Sequence, residues 1–178
     1  MKRIDELFGR SGSVTTRISF GVFGFVLLAL SLIGCERATQ VTLKGGTNPV
    51  FDLSGSGAIA IFTVYSPDYV TKAEKPFDEN FALWEIKPSA GSPRGTWIRD
   101  LGSITYGVVP PEYLQVIPKV GSPPPLTEGQ RYFFHVDTTS AEGAAGFVEI
   151  RNSQAIQTHG GGPCFGLKDG KWFRAPCG

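Results

Sequence analysis

Histidine, cysteine and methionine are scarce in this 178-residue chain, which holds two, three and one of them respectively. So few imidazole and thiolate groups leave little from which to build a zinc site of ordinary spacing. No G-x-S-x-G elbow, phosphate-binding glycine loop or H-E-x-x-H helix motif occurs, so hydrolase, nucleotide-binding and zinc-protease chemistry lack their sequence support. Nothing matches a calcium-loop spacing either. The 17 basic and 16 acidic residues are scattered rather than grouped, which removes the electrostatic footprint of a nucleic-acid binder. Also missing beyond residue 33 is any sustained 3.6-residue apolar period. Instead 23 glycines and 13 prolines break the chain into apolar runs of four to nine residues, a pattern that predicts an all-β body.

The N-terminus is the exception. Lys2, Arg3, Arg10 and Arg17 precede an apolar run from Ile18 to Ile33, the arrangement of a secretory signal. A 16-residue helix would extend roughly 24 Å, short for a hydrocarbon core of about 30 Å. Leu32-Ile33-Gly34-Cys35 follows and resembles the bacterial lipobox. That resemblance implies that Cys35 takes a diacylglycerol and, after cleavage, becomes the first residue of a lipid-anchored protein, with residues 1–34 removed as the signal. The n-region of 17 residues is long for such a signal. Removing residues 1–34 takes away four basic and two acidic residues and leaves 13 against 14, a nearly neutral body. Because Glu36 and not Asp follows Cys35, resemblance to enteric lipoproteins points to the outer membrane, facing the periplasm.

Lipidation of Cys35 leaves Cys164 and Cys177, 13 positions apart, as an even pair. In an oxidising envelope they are expected to form a disulfide, worth roughly 3 kcal/mol on the chain-entropy model. A metal site is the competing use of two cysteines, but only His159 stands near them, so no metal and no cofactor are expected.

Residues 35–47 read as a flexible tether and residues 48–152 as a sandwich domain. Its expected strands are Pro49 to Leu53, Ala58 to Tyr65, Phe81 to Lys87, Trp97 to Leu101, Ser103 to Val109, Arg131 to Thr138 and Phe147 to Arg151. Ala58 to Tyr65 is apolar on both faces, as a central strand would be. In "RYFFHVDT", Tyr132, Phe134 and Val136 share one face while Phe133, His135 and Asp137 share the other. The proline-laden stretch from Pro111 to Gly129 is expected to run over the surface without pairing. At its end, Leu126 to Tyr132 (L-T-E-G-Q-R-Y) resembles the tyrosine corner of fibronectin type III domains. That likeness implies an immunoglobulin or fibronectin III-like β-sandwich in which the Tyr132 hydroxyl bonds back to upstream backbone.

Residues 153–178 read as a glycine-rich linker and a disulfide-braced hairpin. Asp169-Gly170 is a two-residue turn signal that makes Leu167 and Trp172 a cross-strand pair and puts Cys164 opposite Ala175. Burial of Trp172 and Phe173 on the sandwich is expected to hold the hairpin.

Candidate chemistry is thin. His159-Gly160-Gly161-Gly162 resembles the oxyanion segment of lipases but has no nucleophile elbow to serve. His135 and Asp137 share a strand face and are read as its solvent side, and "TKAEKPFDEN" as a solvated loop. Among the aromatics, Trp172, Tyr113 and Tyr106 are the candidate binding residues, as stacking surfaces for a glycan such as peptidoglycan or as anchors for an envelope protein. The expected function is a non-enzymatic, lipid-anchored binding or accessory domain of the cell envelope. The alternative is a small inhibitor of an attacking hydrolase acting through the C-terminal loop. A hydrolase would need His135 or His159 gathered with a hydroxyl.

Overall fold

The alternating segment "RYFFHVDT" forms the strand its period predicts, Arg131–Thr138, and the rest of the sheet grows from it in the computed structural model, which describes residues 36–158 and 162–175. The strands are β1 (Gln40–Lys44), β2 (Val50–Ser54), β3 (Ile59–Tyr65), β4 (Ala82–Pro88), β5 (Ser103–Thr105), β6 (Tyr113–Ile117), β7 (Arg131–Thr138), β8 (Ala144–Arg151), β9 (Gln154–Thr158), β10 (Cys164–Lys168) and β11 (Lys171–Ala175). All pairs are antiparallel. One sheet has the order β1-β2-β5, a larger one β6-β4-β3-β7-β8-β9, and β10-β11 is a separate ribbon.

The two larger sheets face each other across an aromatic core, as in a β-sandwich. Phe51 of β2 meets Phe62 of β3 and Phe134 of β7 edge-on, with ring centroids 4.9 and 5.2 Å apart. Phe62 packs on Trp84 at 5.6 Å, and Trp84 on Tyr106 at 5.5 Å. The buried Trp84 ring donates its Nε1–H to Gln115 Oε1 at 3.2 Å, so its one polar atom is satisfied. At the sheet edge the Tyr132 hydroxyl accepts the Thr127 N–H at 2.9 Å while Leu126 fills the core beneath it. The bond and burial expected of L-x-x-G-x-x-Y are therefore present.

A second, smaller cluster covers half of the outer face of the six-stranded sheet. After β3 the chain turns into a short helix, α1 (Pro67–Lys72), which lays Tyr69 flat on Tyr65 at 4.3 Å and on Phe133 at 5.3 Å. Phe147 completes the cluster from β8.

Four expectations are corrected. The tether contains β1, whose Val41 and Leu43 pack on the core; its period of two runs over only five residues, too few to set it apart from a linker by sequence. Trp97 to Leu101 is no strand: Ile98–Leu101 form a single helical turn, α2, ended by Gly102 at φ +69°, whose N–H returns to the Ile98 carbonyl. Tyr113–Ile117 pairs with β4, because Pro110, Pro111 and Pro118 bracket the pairing residues and leave their N–H groups intact. The linker contains β9, reached through a turn at Asn152 and Ser153 with φ of +52° and +59°. The Glu128 carboxylate accepts both N–H groups of that turn, which offsets the strain of two non-glycine residues there.

The hairpin keeps its expected register, with Leu167 opposite Trp172 and Cys164 opposite Ala175, and Asp169 and Gly170 turn with positive φ. It is held differently from expectation. Phe165 packs near Tyr69, with centroids 6.4 Å apart, and Arg174 donates to the Ala73 carbonyl at 3.3 Å. Trp172 and Phe173 stay 48% and 45% exposed. Phe173 folds over its own ribbon, where a Cβ on Gly166 would lie 2.4 Å from its ring.

Replacing Tyr132 by Phe removes only its hydroxyl's bonds to the Thr127 N–H and Thr127 Oγ1 and is expected to cost about 1–2 kcal/mol. Phe62→Ala opens a core cavity and is expected to cost about 3–5 kcal/mol. Urea unfolding of residues 36–178 measures both.

Candidate functional site

Three central strands bring their outward residues together on the half of the outer face that α1 leaves uncovered. Ile61, Thr63 and Tyr65 of β3 lie between Glu85 and Lys87 of β4 and His135 and Asp137 of β7. The register sets Thr63 opposite both Glu85 and His135. Together with Phe77 and Glu79 from the loop after α1, these residues enclose an open groove of about 250 Å³.

Glu85 is the unusual member, a carboxylate only 4% exposed. A buried charge needs partners. It has two: the Thr63 hydroxyl donates at 3.2 Å, and Lys87 Nζ lies 2.8 Å from the other carboxylate oxygen. Lys87 keeps its head at the groove edge, 37% exposed, so the pair is a bridge from buried floor to solvent. Tyr65 is buried beside it, and desolvation raises its hydroxyl pKa, keeping it protonated.

Phe77 covers His135, with ring centroids 4.2 Å apart. Its backbone is left-handed, φ +52°, and its N–H is tied to the Tyr69 hydroxyl at 3.1 Å. Burial drives the His135 pKa below its ordinary value, and the Asp137 charge only partly opposes this. A neutral imidazole, one ammonium and three carboxylates therefore line the groove, with negative charge in excess.

His135, Asp137 and a hydroxyl do meet here. The Thr63 hydroxyl, however, belongs to a residue 1% exposed and donates to Glu85 and not to His135, so the base-to-nucleophile bond of covalent catalysis is not formed. Among the described residues no cluster of three or more His, Cys, Asp or Glu could hold a metal ion.

The candidates from sequence are dispersed. Tyr106 and Tyr113 are core residues, 3% and 5% exposed, and their hydroxyls donate to the carbonyls of Pro124 at 2.8 Å and Ile59 at 3.0 Å. Neither ring offers a face to a ligand. Trp84 is likewise buried, whereas Trp97 is 43% exposed with Arg99 over its ring. Trp172 alone of the three binding candidates is displayed, on the ribbon. Cys164 is half-buried at the ribbon's root, while Cys35, His159 and Cys177 lie outside the described residues.

Sequence reasoning missed Glu85, Thr63 and Phe77. Glu85 alternates with Trp84 and so had to face away from the core, but only the pairing of β4 with β3 tells that this second face is buried. Phe77 stands in a charged loop whose composition reads as solvated.

The lowered pKa of His135 has a direct consequence. Below pH 6.5 the unfolded chain takes up a proton here that the folded chain resists, so stability falls as the pH drops through and below that value. An NMR titration is expected to give His135 a midpoint below 6.5, and His135→Gln is expected to remove this part of the acid loss.

Comparison with protein-family models, with curated proteins and with solved structures finds no match to this chain, so the chemistry of its surfaces is read from its own side chains.

Proposed function

We propose that this protein is a non-enzymatic, lipid-anchored module of the bacterial cell envelope that carries a binding surface at the end of its body remote from the anchor. The carrying observation is where the two ends of the chain join the sandwich. The N-terminal segment enters at one end: Arg37 exchanges bonds with Ser56 in the β2–β3 turn, and Thr39 N–H donates to Glu142 in the β7–β8 turn. The ribbon is rooted toward the opposite end, where Phe165 meets Tyr69 just beyond the last residue of β3. Between Ile59 and Tyr65 the strand runs about 20 Å.

If Cys35 is acylated, only Glu36 separates the anchor from the first bonded residue, so the entry end rides close to the bilayer and the ribbon is displayed away from it. Two or three acyl chains hold such a body firmly. The outer membrane, facing the periplasm, is the address this reading favours.

The finer fold belongs to the same proposal, a fibronectin III-like sandwich. Supporting it, β1-β2-β5 runs in the order A-B-E, and β4-β3-β7-β8 in the order C′-C-F-G, with the tyrosine corner opening the F strand. The strands β6 and β9 would be additions at either edge. A Cys164–Cys177 bridge would brace the ribbon. Cys164 lies on the last rung, opposite Ala175, and Cys177 is two residues further along.

The exposed Leu167, Trp172 and Phe173 also favour a second reading, an inhibitor that inserts the ribbon into a hydrolase. Loss of inhibition of an envelope hydrolase on Trp172→Ala, with peptidoglycan binding absent, would select it.

Metabolic labelling with palmitate is expected to mark the protein, and Cys35→Ala to abolish the mark; a parent chain that stays unlabelled contradicts the anchor.

A further inference from the structure

The ribbon β10–β11 carries large apolar side chains that its own folding leaves about half exposed. Leu167 and Trp172 form one rung, on the face that carries Phe165 and Arg174 nearer the root, and are 60% and 48% exposed. Phe173, 45% exposed, lies on the other face above Gly166. At the turn, Lys168 and Lys171 pair across the strands, with Asp169 as the single acidic residue of the ribbon. An aromatic ring on each side and two ammonium groups at the tip thus occupy one narrow, two-stranded support.

We propose that this ribbon binds the carboxylate-bearing glycan–peptide polymer of the cell wall, its sugar rings stacking on Trp172 and Phe173 and its peptide carboxylates pairing with Lys168 and Lys171. The inference rests on the envelope reading above and names its ligand. A sugar ring offers an apolar C–H face while its hydroxyls stay in water, which suits rings that are half-exposed rather than set in a pocket. The charge is complementary: two lysines with one intervening carboxylate favour an anionic ligand. A protein partner of standard size takes about 20–30 residues a side, against the five rungs of this ribbon. A bilayer is disfavoured because the ribbon is rooted toward the end of the sandwich opposite to chain entry.

The test is co-sedimentation of residues 36–178 with purified peptidoglycan sacculi; this segment forms one compact unit holding the whole described core. The parent is expected to sediment at low salt and to be released at high salt. Trp172→Ala is expected to weaken binding about tenfold, the scale of one lost stacking contact. Lys168→Gln with Lys171→Gln is expected to weaken it by a similar factor and to flatten the salt dependence. Trp97→Ala, on a different surface, is expected to bind as the parent does. Thermal unfolding of each variant separates loss of binding from loss of fold, and should Trp172→Ala unfold, the lysine pair carries the test. A parent that stays in the supernatant, a folded Trp172→Ala that sediments unchanged, or preference for anionic vesicles over sacculi overturns the proposal. An unlabelled chain that binds sacculi overturns the lipid anchor and keeps this site, whereas a palmitate-labelled chain that does not bind overturns this site alone.

Discussion

Everything else in the molecule depends on the edge-on contact between Phe51 of the small sheet and Phe62 and Phe134 of the large one. The three-stranded and six-stranded sheets each carry an apolar face that stays in water until a partner layer covers it. Phe51 supplies the contact from β2, and Trp84 and Tyr106 extend it sideways. The rings are all but inaccessible to water, so the strand register is fixed as well: a slip of one residue would turn Phe62 and Phe134 outward and bring Thr63 and His135 in.

That constraint creates the groove. Once β3, β4 and β7 commit one face to the aromatic core, their other residues must line the outer face, and the chain covers only part of it. Tyr69 from α1 seals one half, stacked on Phe133, with Phe147 edge-on to Phe133. The other half keeps Thr63, Glu85 and His135: the Thr63 hydroxyl and the Lys87 ammonium meet the Glu85 carboxylate, and the Phe77 ring covers His135. The Lys87 ammonium and the Thr63 hydrogen bond are what let a carboxylate remain in the middle of a sheet.

The β class and the central strands were legible because their signals are local. A period of two in "RYFFHVDT", apolar residues on both faces of "AIAIFTVY" and an Asp-Gly turn each report on neighbours one or two residues away. What escaped depends on distant partners. The strand at Tyr113 looked excluded by its prolines, although none of them sits where a ladder N–H is required. The turn at Asn152-Ser153 has no glycine and is stabilised by Glu128, 24 residues earlier in the chain. Tyr106 and Tyr113 read as candidate binding aromatics, the first on a strand and the second in a proline-rich stretch, yet their carbonyl partners, Pro124 and Ile59, exist only once the sheets assemble. Burial of Trp172 failed for the converse reason: Trp172 shares its face of the ribbon with Phe165 and Arg174, but those two, nearer the root, make the contacts with Tyr69 and Ala73, and Trp172 lies further toward the tip.

Native-state hydrogen exchange on residues 36–178 tests the aromatic contact most directly. If Phe51, Phe62 and Phe134 hold the two sheets as one cooperative body, the paired amides of β3 and β7 exchange last and together, with the free energy of global unfolding. Exchange from β3 and β7 as fast as from the β10–β11 ribbon, or well before global unfolding, would contradict it.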